Sequence, residues 1–352
     1  MTDATNSPAT AAALELRGRL DALIADCGVG AQRTLVRRIL ESGIGLGQDG
    51  TPRRDLKITA AAVEEMRAAF QLFAPYAGTP KVTIFGSART QSHDPLWENA
   101  RAAAEQLAAE GWFVVTGAGP GIMEAAATGA GPEQSLGVSI RLPFEEAPNS
   151  VLNGDGRQVA MKYFFTRKLM LVKESSGFIC LPGGFGTMDE TFELLTLQQT
   201  GKMEPTPIVL LDREGGQFWR GFAAFVTEQL AANGLVAVDD LDRVLVTDSV
   251  SAAVAEVTGF WRNYDSLRWF GSELVLRLRA APSDAELADL NARFSGLCET
   301  GSIARTDALP EERGGDDRPE LPRIIFTPRR RAVGDLHRLI RALNELASAP
   351  GG

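Results

Sequence analysis

Histidine is almost missing from this chain: His93 and His337 are the only two in 352 residues. His93 sits in the polar stretch TQSHD and His337 in a charged, amphipathic stretch, and neither has cysteine or acidic partners at metal-ligand spacing. That argues against a zinc site and against a histidine-based triad, and it leaves acid–base chemistry to carboxylates. Cysteine is scarce too. Cys27, Cys180 and Cys298 are odd in number and widely spaced, which argues against a disulfide framework and for a reducing compartment. Cys180, inside the apolar run GFICL, reads as a buried thiol rather than a nucleophile. No apolar run approaches the roughly 20 residues that a membrane span needs. The opening MTDATNSPATAAALELRGRL lacks the basic-then-apolar pattern of a secretory signal, so a cytoplasmic location is expected. Positive charge is in deficit, with 36 Lys and Arg against 45 Asp and Glu and a net charge of -9. That disfavours nucleic acid or an acidic membrane as partner, while leaving room for a local basic pocket.

What is present is ordinary globular composition over a length that exceeds what one core usually organises, so more than one domain is expected. Residues 1–75 read as an N-terminal helical segment: a disordered start to about residue 12, helix over 13–42, a loop at GIGLGQDGTPRRD (43–55), and helix over 58–75. Strands and helices then alternate. KVTIFG (81–86), WFVVTG (112–117), LGVSIRL (136–142), GFICLP (177–182), TPIVLLD (206–212) and RVLVTD (243–248) read as strands. Helices are expected over 95–110, 121–130, about 158–175, 187–201, 216–233 and 250–262. Continuous Val/Ile/Leu runs between helices indicate an α/β domain over 76–262, a doubly wound, Rossmann-like parallel sheet built from six units. Residues 263–352 read as a small α+β appendage. It has strands at SELVLRLR (272–279) and RIIFTPRR (323–330), a helix over 283–297 opened by a capping signature, a loop over 307–322, and a helix over 333–346.

Ligands of open α/β sheets bind outside the carboxyl ends of the strands, where three glycine-bearing loops fall. These are GSART (86–90), GAGPGIMEAA (117–126) and PGGFGTMDE (182–190). GAGPG fits a dinucleotide fingerprint imperfectly: its third glycine arrives one position early, and the next strand ends in Arg141 rather than an acid. Close packing of the following helix and backbone contact with a ligand explain it equally well. In PGGFGTMDE, three glycines would let the backbone approach an anion at a helix N-terminus. No lysine follows the last glycine, so this is not a P-loop, and a monophosphate suits it better than a triphosphate. Thr187 to Glu190 also has the spacing of a capping box, and on this segment alone the two readings stand level. In MKYFFTRKLMLVKESS, Arg167 and Lys168 interrupt an apolar face of Phe164, Phe165, Leu169, Met170 and Val172. Such an arginine either snorkels or serves a phosphate, a purine edge or a carboxylate.

Taken together, GSAR (86–89), GAGPGIMEAA (117–126), RKLM (167–170) and PGGFGTMDE (182–190) resemble the LONELY GUY (LOG) family over about 76–262, in the family's order and spacing. Its members are phosphoribohydrolases, which split a nucleoside 5′-monophosphate into free base and ribose 5-phosphate. Some release cytokinins, and others act on ordinary purine or pyrimidine nucleotides. The resemblance implies that Arg167 and Glu190 form the catalytic pair and that Gly183, Gly184, Gly186 and Thr187 bind the phosphate. It implies a cleft lined by Gly86, Ser87 and Arg89 and by Gly117, Gly119 and Gly121, with Met170 near the base. LPFEEAPN (142–149) is similar to an LPxExxxN variant of longer members, which makes Glu145 a candidate for the ribose hydroxyls. The resemblance further implies a homodimer or higher homo-oligomer, a nucleoside monophosphate as partner, and neither cofactor nor metal.

Such proteins have often been labelled lysine decarboxylases, but no lysine here sits in a recognisable pyridoxal-phosphate context. The GAGPG loop, the N-terminal helices and the appendage depart from the family pattern and leave the preferred base open. The chemistry is sensible on its own terms. N-glycosidic cleavage passes through an oxocarbenium-like state that a carboxylate stabilises while it or another activates water. Glu190 suits either task, and Arg167 suits orienting Glu190 or bonding the departing base. The alternative is a non-catalytic nucleotide or molybdenum-cofactor carrier, in which the catalytic pair is typically incomplete. A dinucleotide-dependent oxidoreductase is disfavoured by the imperfect fingerprint.

Overall fold

The computed structural model describes residues 8–141, 151–152, 156–313, 318–329 and 333–351. The chain divides into two compact units, residues 1–64 and 65–352. In the first, α1 (Pro8–Asp26) and α2 (Arg33–Gln48) are tied by Arg37 to Asp21 at 2.8 Å and by Arg17 to Glu41 at 3.2 Å. α2 runs on through Gly43, Gly45 and Gly47, where a loop is expected from the sequence, because none of these glycines takes a positive φ and the helical hydrogen bonds continue to Asp49. α3 (Arg53–Phe73) likewise starts earlier than expected. Residues 8–12 of the supposed disordered start are helical, and residues 1–7 lie outside the described residues.

The second unit holds one parallel sheet: β1 (Lys81–Phe85), β2 (Phe113–Thr116), β3 (Ser135–Ile140), β4 (Gln158–Met161), β5 (Gly177–Cys180), β6 (Ile208–Leu211) and β7 (Val244–Thr247). All five positions of β1 and all four of β5 and β6 are buried, as strands covered on both faces must be. The order is β4-β3-β2-β1-β5-β6-β7. The chain therefore moves outward from β1 to β4, then returns to lay β5 on the other side of β1, which makes the gap between them the topological switch point.

The helices between these strands are α4 (Pro95–Ala109), α5 (Ile122–Ala130), α6 (Phe164–Lys173), α7 (Phe185–Gln199), α8 (Phe218–Phe225) and α9 (Val250–Gly259). A π-helical turn at Val226–Ala231 prolongs α8. One face of the sheet packs Val82, Ile84 and Val209 against Ala103, Leu107, Ala126 and Val257. The other packs Phe85, Val115 and Phe178 against Phe73, Met170, Leu171 and Trp219. Two expectations are corrected here. The helix placed over 158–175 begins only at Phe164, because residues 158–161 pair with Gly137–Ile140 and add a seventh strand at the sheet edge. The helix placed over 187–201 begins at Phe185.

The appendage is a second, antiparallel sheet in the order β10-β11-β9-β8. Its strands are β8 (Tyr264–Phe270), β9 (Glu273–Leu278), β10 (Cys298–Thr306) and β11 (Arg323–Pro328). α10 (Asp284–Phe294) and α11 (Val333–Asn344) cover it, burying Leu290, Leu339, Ile340 and Leu343 against Leu274, Leu276, Ile324 and Phe326. The predicted cap forms: Ser283 accepts from Glu286 N and Glu286 accepts from Ser283 N. Arg341 of α11 reaches Glu256 of α9 at 2.7 Å, which fastens the appendage to the helix layer of the parallel sheet. Among the described residues no helix is long and apolar enough to cross a membrane.

Candidate active site

The three glycine loops meet at the carboxyl ends of β1 and β5. Ser87 N donates to Pro182 O at 3.3 Å, and Ile122 N donates to Ser87 O at 3.1 Å, so the loop after β1 is stitched to the other two. Gly121 has φ +69, and a Cβ there would collide with Ser87 O. Gly86 is pressed on Ile122, where a Cβ would come within 2.6 Å of its side chain. At Gly183 a Cβ would run into the Thr187 hydroxyl. These positions need glycine so that the loops can interlock. Ala118, with φ 57, is a rare non-glycine residue in the left-handed region, and its N–H is met by Thr116 Oγ1 at 3.1 Å.

Gly184 and Gly186 differ. Neither has a positive φ, and a Cβ at either would stand in open space. Neither fold geometry nor packing therefore calls for glycine there. Phe185 between them is 96% exposed, an aromatic ring displayed at the mouth of the crevice that the sequence alone gave no reason to single out.

α6 brings Arg167 to the same place. Its Nε donates to Val138 O at 3.0 Å, and its guanidinium occupies the space that a Cβ on Gly117 would claim. Gly117 thus makes room for Arg167. Gly119 abuts the Met123 side chain instead, where a Cβ would come within 2.6 Å of Cε.

Glu190 lies on α7, three residues farther into the helix than the position of a cap partner. Because α7 begins at Phe185 with Gly184 as N-cap, Thr187 and Glu190 are interior helical residues, and the capping-box reading of TMDE falls away. Thr187 O is taken by Thr191 Oγ1 at 2.8 Å. Glu190 is buried, 7% exposed, and burial pushes its carboxyl up to about 7 against the opposing pull of Lys168 and Arg167. Lys168 Nζ sits 3.8 Å from Glu190 and makes shorter contacts with Asp189 at 2.9 Å and Glu193 at 2.7 Å. Burial opposes its charge, but the bonds to Glu193 and Asp189 win and hold its ammonium above the usual lysine range. Sequence reading noted Lys168 only as Arg167's neighbour. Acids at 189, 190 and 193 were the signal, since i, i+3 and i+4 positions share a helix face.

The remaining candidates fall as follows. Ser87 is half-buried and its hydroxyl accepts from Arg89 N at 3.1 Å, while the Arg89 side chain is exposed at the rim. Met170 is fully buried in the cluster beneath the sheet with Leu136, Val138 and Phe178, rather than brought to the loops. Glu145 lies outside the described residues. Cys180 is fully buried, its thiol pushed up to about 12 by burial, which suits packing and not nucleophilic chemistry. Among the described residues no group of His, Cys, Asp and Glu could hold a metal ion.

Comparison with known proteins matches residues 121–257 to a family described as "Possible lysine decarboxylase". A cytokinin riboside 5′-monophosphate phosphoribohydrolase of Mycobacterium marinum is 30% identical over 169 residues, 47% of this chain and 88% of that protein. The protein of the same name from Mycobacterium tuberculosis is 29% identical over 171 residues, again 47% of this chain and 88% of the relative. Among solved structures, the molybdenum cofactor binding protein of Rippkaea orientalis is 21% identical with a TM-score of 0.37, covering 51% of this chain and 96% of that one.

Proposed function

The chain belongs to the LONELY GUY (LOG) family, and we propose that it hydrolyses the N-glycosidic bond of a nucleoside 5′-monophosphate, giving free base and ribose 5-phosphate. One observation carries this reading: a buried carboxylate, Glu190, raised to about 7 at the switch-point crevice into which α6 also delivers Arg167. A carboxyl with that value changes protonation near neutral pH, which is what an acid–base group needs.

In the proposed reaction the bond between ribose C1′ and the base nitrogen breaks, and its electron pair leaves with the base. The ionised Glu190 stabilises the positive charge that develops on the ribose, takes a proton from the water that attacks C1′, and gives it up to the nitrogen of the departing base, which restores the carboxylate. Arg167, fixed by Val138 O, presents a planar cation to the departing base or to Glu190. Lys168, clamped by Asp189 and Glu193, keeps Glu190 from rising further. The phosphate is proposed to sit on the amides that open α7, where Gly184 and Gly186 let an anion approach without a Cβ in the way. The chemistry requires no metal or redox cofactor. Apolar side chains exposed on α6 and α7, among them Phe164, Phe165, Leu169 and Phe192, support assembly with a second copy of the chain.

The test is a panel of nucleoside 5′-monophosphates, cytokinin riboside monophosphates included, assayed for free base, with each parent nucleoside alongside. Base release is expected from at least one nucleotide. Its nucleoside should be poorer by at least about tenfold to a hundredfold in kcat/KM, from lost charge-assisted hydrogen bonds of roughly 1.5–3 kcal/mol each. Binding without base release across the panel would favour the carrier alternative. Equal efficiency for nucleoside and nucleotide would remove the phosphate cradle.

A further inference from the structure

A cavity of about 940 Å3 opens at the end of the parallel sheet opposite the crevice. Its floor is the amino-terminal approach to three strands: Thr79 and Pro80 before β1, Trp112 before β2 and Ser176 before β5. Its other wall is the appendage. The site already described uses the carboxyl ends of these same strands, so the two lie on opposite edges of one sheet.

The charge on its walls is out of keeping with a chain of net charge -9. Arg262, Arg277, Arg279 and Arg318 line the cavity, against Glu110 and Asp265. Two of the arginines are already matched. Arg277 is held by buried Glu312 at 2.7 Å, and Arg318 pairs with Asp265. The other two are not. Arg262 gives its Nε to Pro350 O at 2.8 Å and has no carboxylate partner among the described residues. Arg279 is exposed and its side chain has no partner among the described residues, while its backbone is fixed by a bond from its N–H to Asn263 O at 2.8 Å. Arg262 follows α9 and Arg279 follows β9, so two separate elements bring uncompensated guanidinium groups to one concavity. Like charges assembled in this way repel unless an anion joins them.

Two further features mark the cavity as built. Arg318 holds φ 48, and among the described residues only Gln32 and Ala118 share the left-handed region without being glycine. Ala118 belongs to the crevice, and Arg318 belongs to this cavity. Such backbones are unfavourable and concentrate where a side chain must be aimed. Trp261, half-buried, also enters the wall and is locked by its bond to Ser176 O, giving an apolar surface beside the cations.

We propose that this cavity is a second, non-catalytic site that takes a phosphate-chain anion, whose oxygens are shared between Arg262 and Arg279. Guanidinium forks on two elements match a pair of linked phosphoryl groups better than one compact anion. The chain can come from free pyrophosphate or from the diphosphate of a nucleotide, whose ring would then lie against Trp261.

Calorimetric titration of the full-length protein with inorganic pyrophosphate, and separately with ADP, tests this. At least one should bind, and its affinity should fall at least tenfold in the Arg262→Glu/Arg279→Glu variant. Arg279→Glu alone, at an exposed position, should show a fall of the same sign and guards against a misfolded double variant. Arg167→Ala, altered in the crevice, should retain the parental affinity. Binding by ADP but not pyrophosphate identifies the nucleotide as the source, and comparable binding by both identifies the phosphate chain itself. Absence of binding by either anion overturns the proposal. So does an affinity untouched by the arginine changes, or one abolished by Arg167→Ala, which would put the anion in the crevice.

Discussion

Lys168 Nζ lies 3.8 Å from Glu190 Oε2 yet makes its shorter contacts with Glu193 and Asp189. A cation held this way lowers the carboxyl's affinity for a proton without neutralising it in a close pair. If ionised Glu190 is the working form, kcat/KM should fall as pH drops through about 7. Lys168→Met removes the largest opposing influence on Glu190, so the acid limb should move to higher pH, by at least about half a unit. Turnover at pH 9 should recover most of what is lost at pH 7. A limb that stays in place would show that Lys168 only braces α6 against α7.

Glu190→Gln separates chemistry from folding. Hydrolysis should drop at least about a hundredfold at neutral pH. Stability should move the other way. Burial raises the carboxyl from 4.5 to about 7, so the folded chain holds this proton more tightly than the unfolded chain does. That stabilisation is full below about pH 4.5 and is lost as pH rises through 7, an effect on the order of 3 kcal/mol. A glutamine never ionises. The variant should therefore melt above the parent at pH 8 and close to it at pH 5. An equal Tm difference at both values, or near-parental turnover, would remove Glu190 from its proposed role.

These relationships were unevenly legible in the sequence. β5 and β6 announced themselves, since a strand buried on both faces is an unbroken apolar run. β4 did not: QVAM is four residues long and in frame with the helical pattern that follows, and only its pairing with β3 makes it a strand. β8 and β10 carry Asp, Ser, Arg, Glu and Gly among their apolar residues because one face or edge is solvated, which blurs the alternation. At the site, the motifs located Arg167 and Glu190, but TMDE could not reveal whether Glu190 caps a helix or lies inside one. That depended on α7 starting two residues earlier, at Phe185. The acids at 189, 190 and 193 mark one face of α7, but nothing in the sequence pairs that face with Lys168, which lies on a different helix.

Arg167→Lys should not restore activity. The guanidinium is positioned by Nε on Val138 O and by the space that Gly117 leaves, and an ammonium cannot satisfy that bond and a second one in the same plane. Gly117→Ala should act on the same group from the other side, since its Cβ would displace the guanidinium. Both variants should lose at least about tenfold in kcat with folding preserved by circular dichroism. Parental rates in Arg167→Lys would mean that positive charge alone suffices.

Gly186→Ala discriminates between a turn glycine and a phosphate glycine. Gly186 is the second residue of α7, and a Cβ there meets nothing within 4 Å. Helix propensity favours alanine over glycine by about 1 kcal/mol, so the variant should gain roughly 2–4 °C in Tm. If the amides at the start of α7 hold the phosphate, the added methyl crowds the anion, and KM for the nucleotide should rise several-fold while the nucleoside's rate is unaffected. Gly221, inside α8 and equally unobstructed, provides the control: Gly221→Ala should gain stability and leave KM alone. Should Gly186→Ala also stabilise without touching KM, the glycine at 186 serves only the backbone, and the phosphate must be held elsewhere in the crevice.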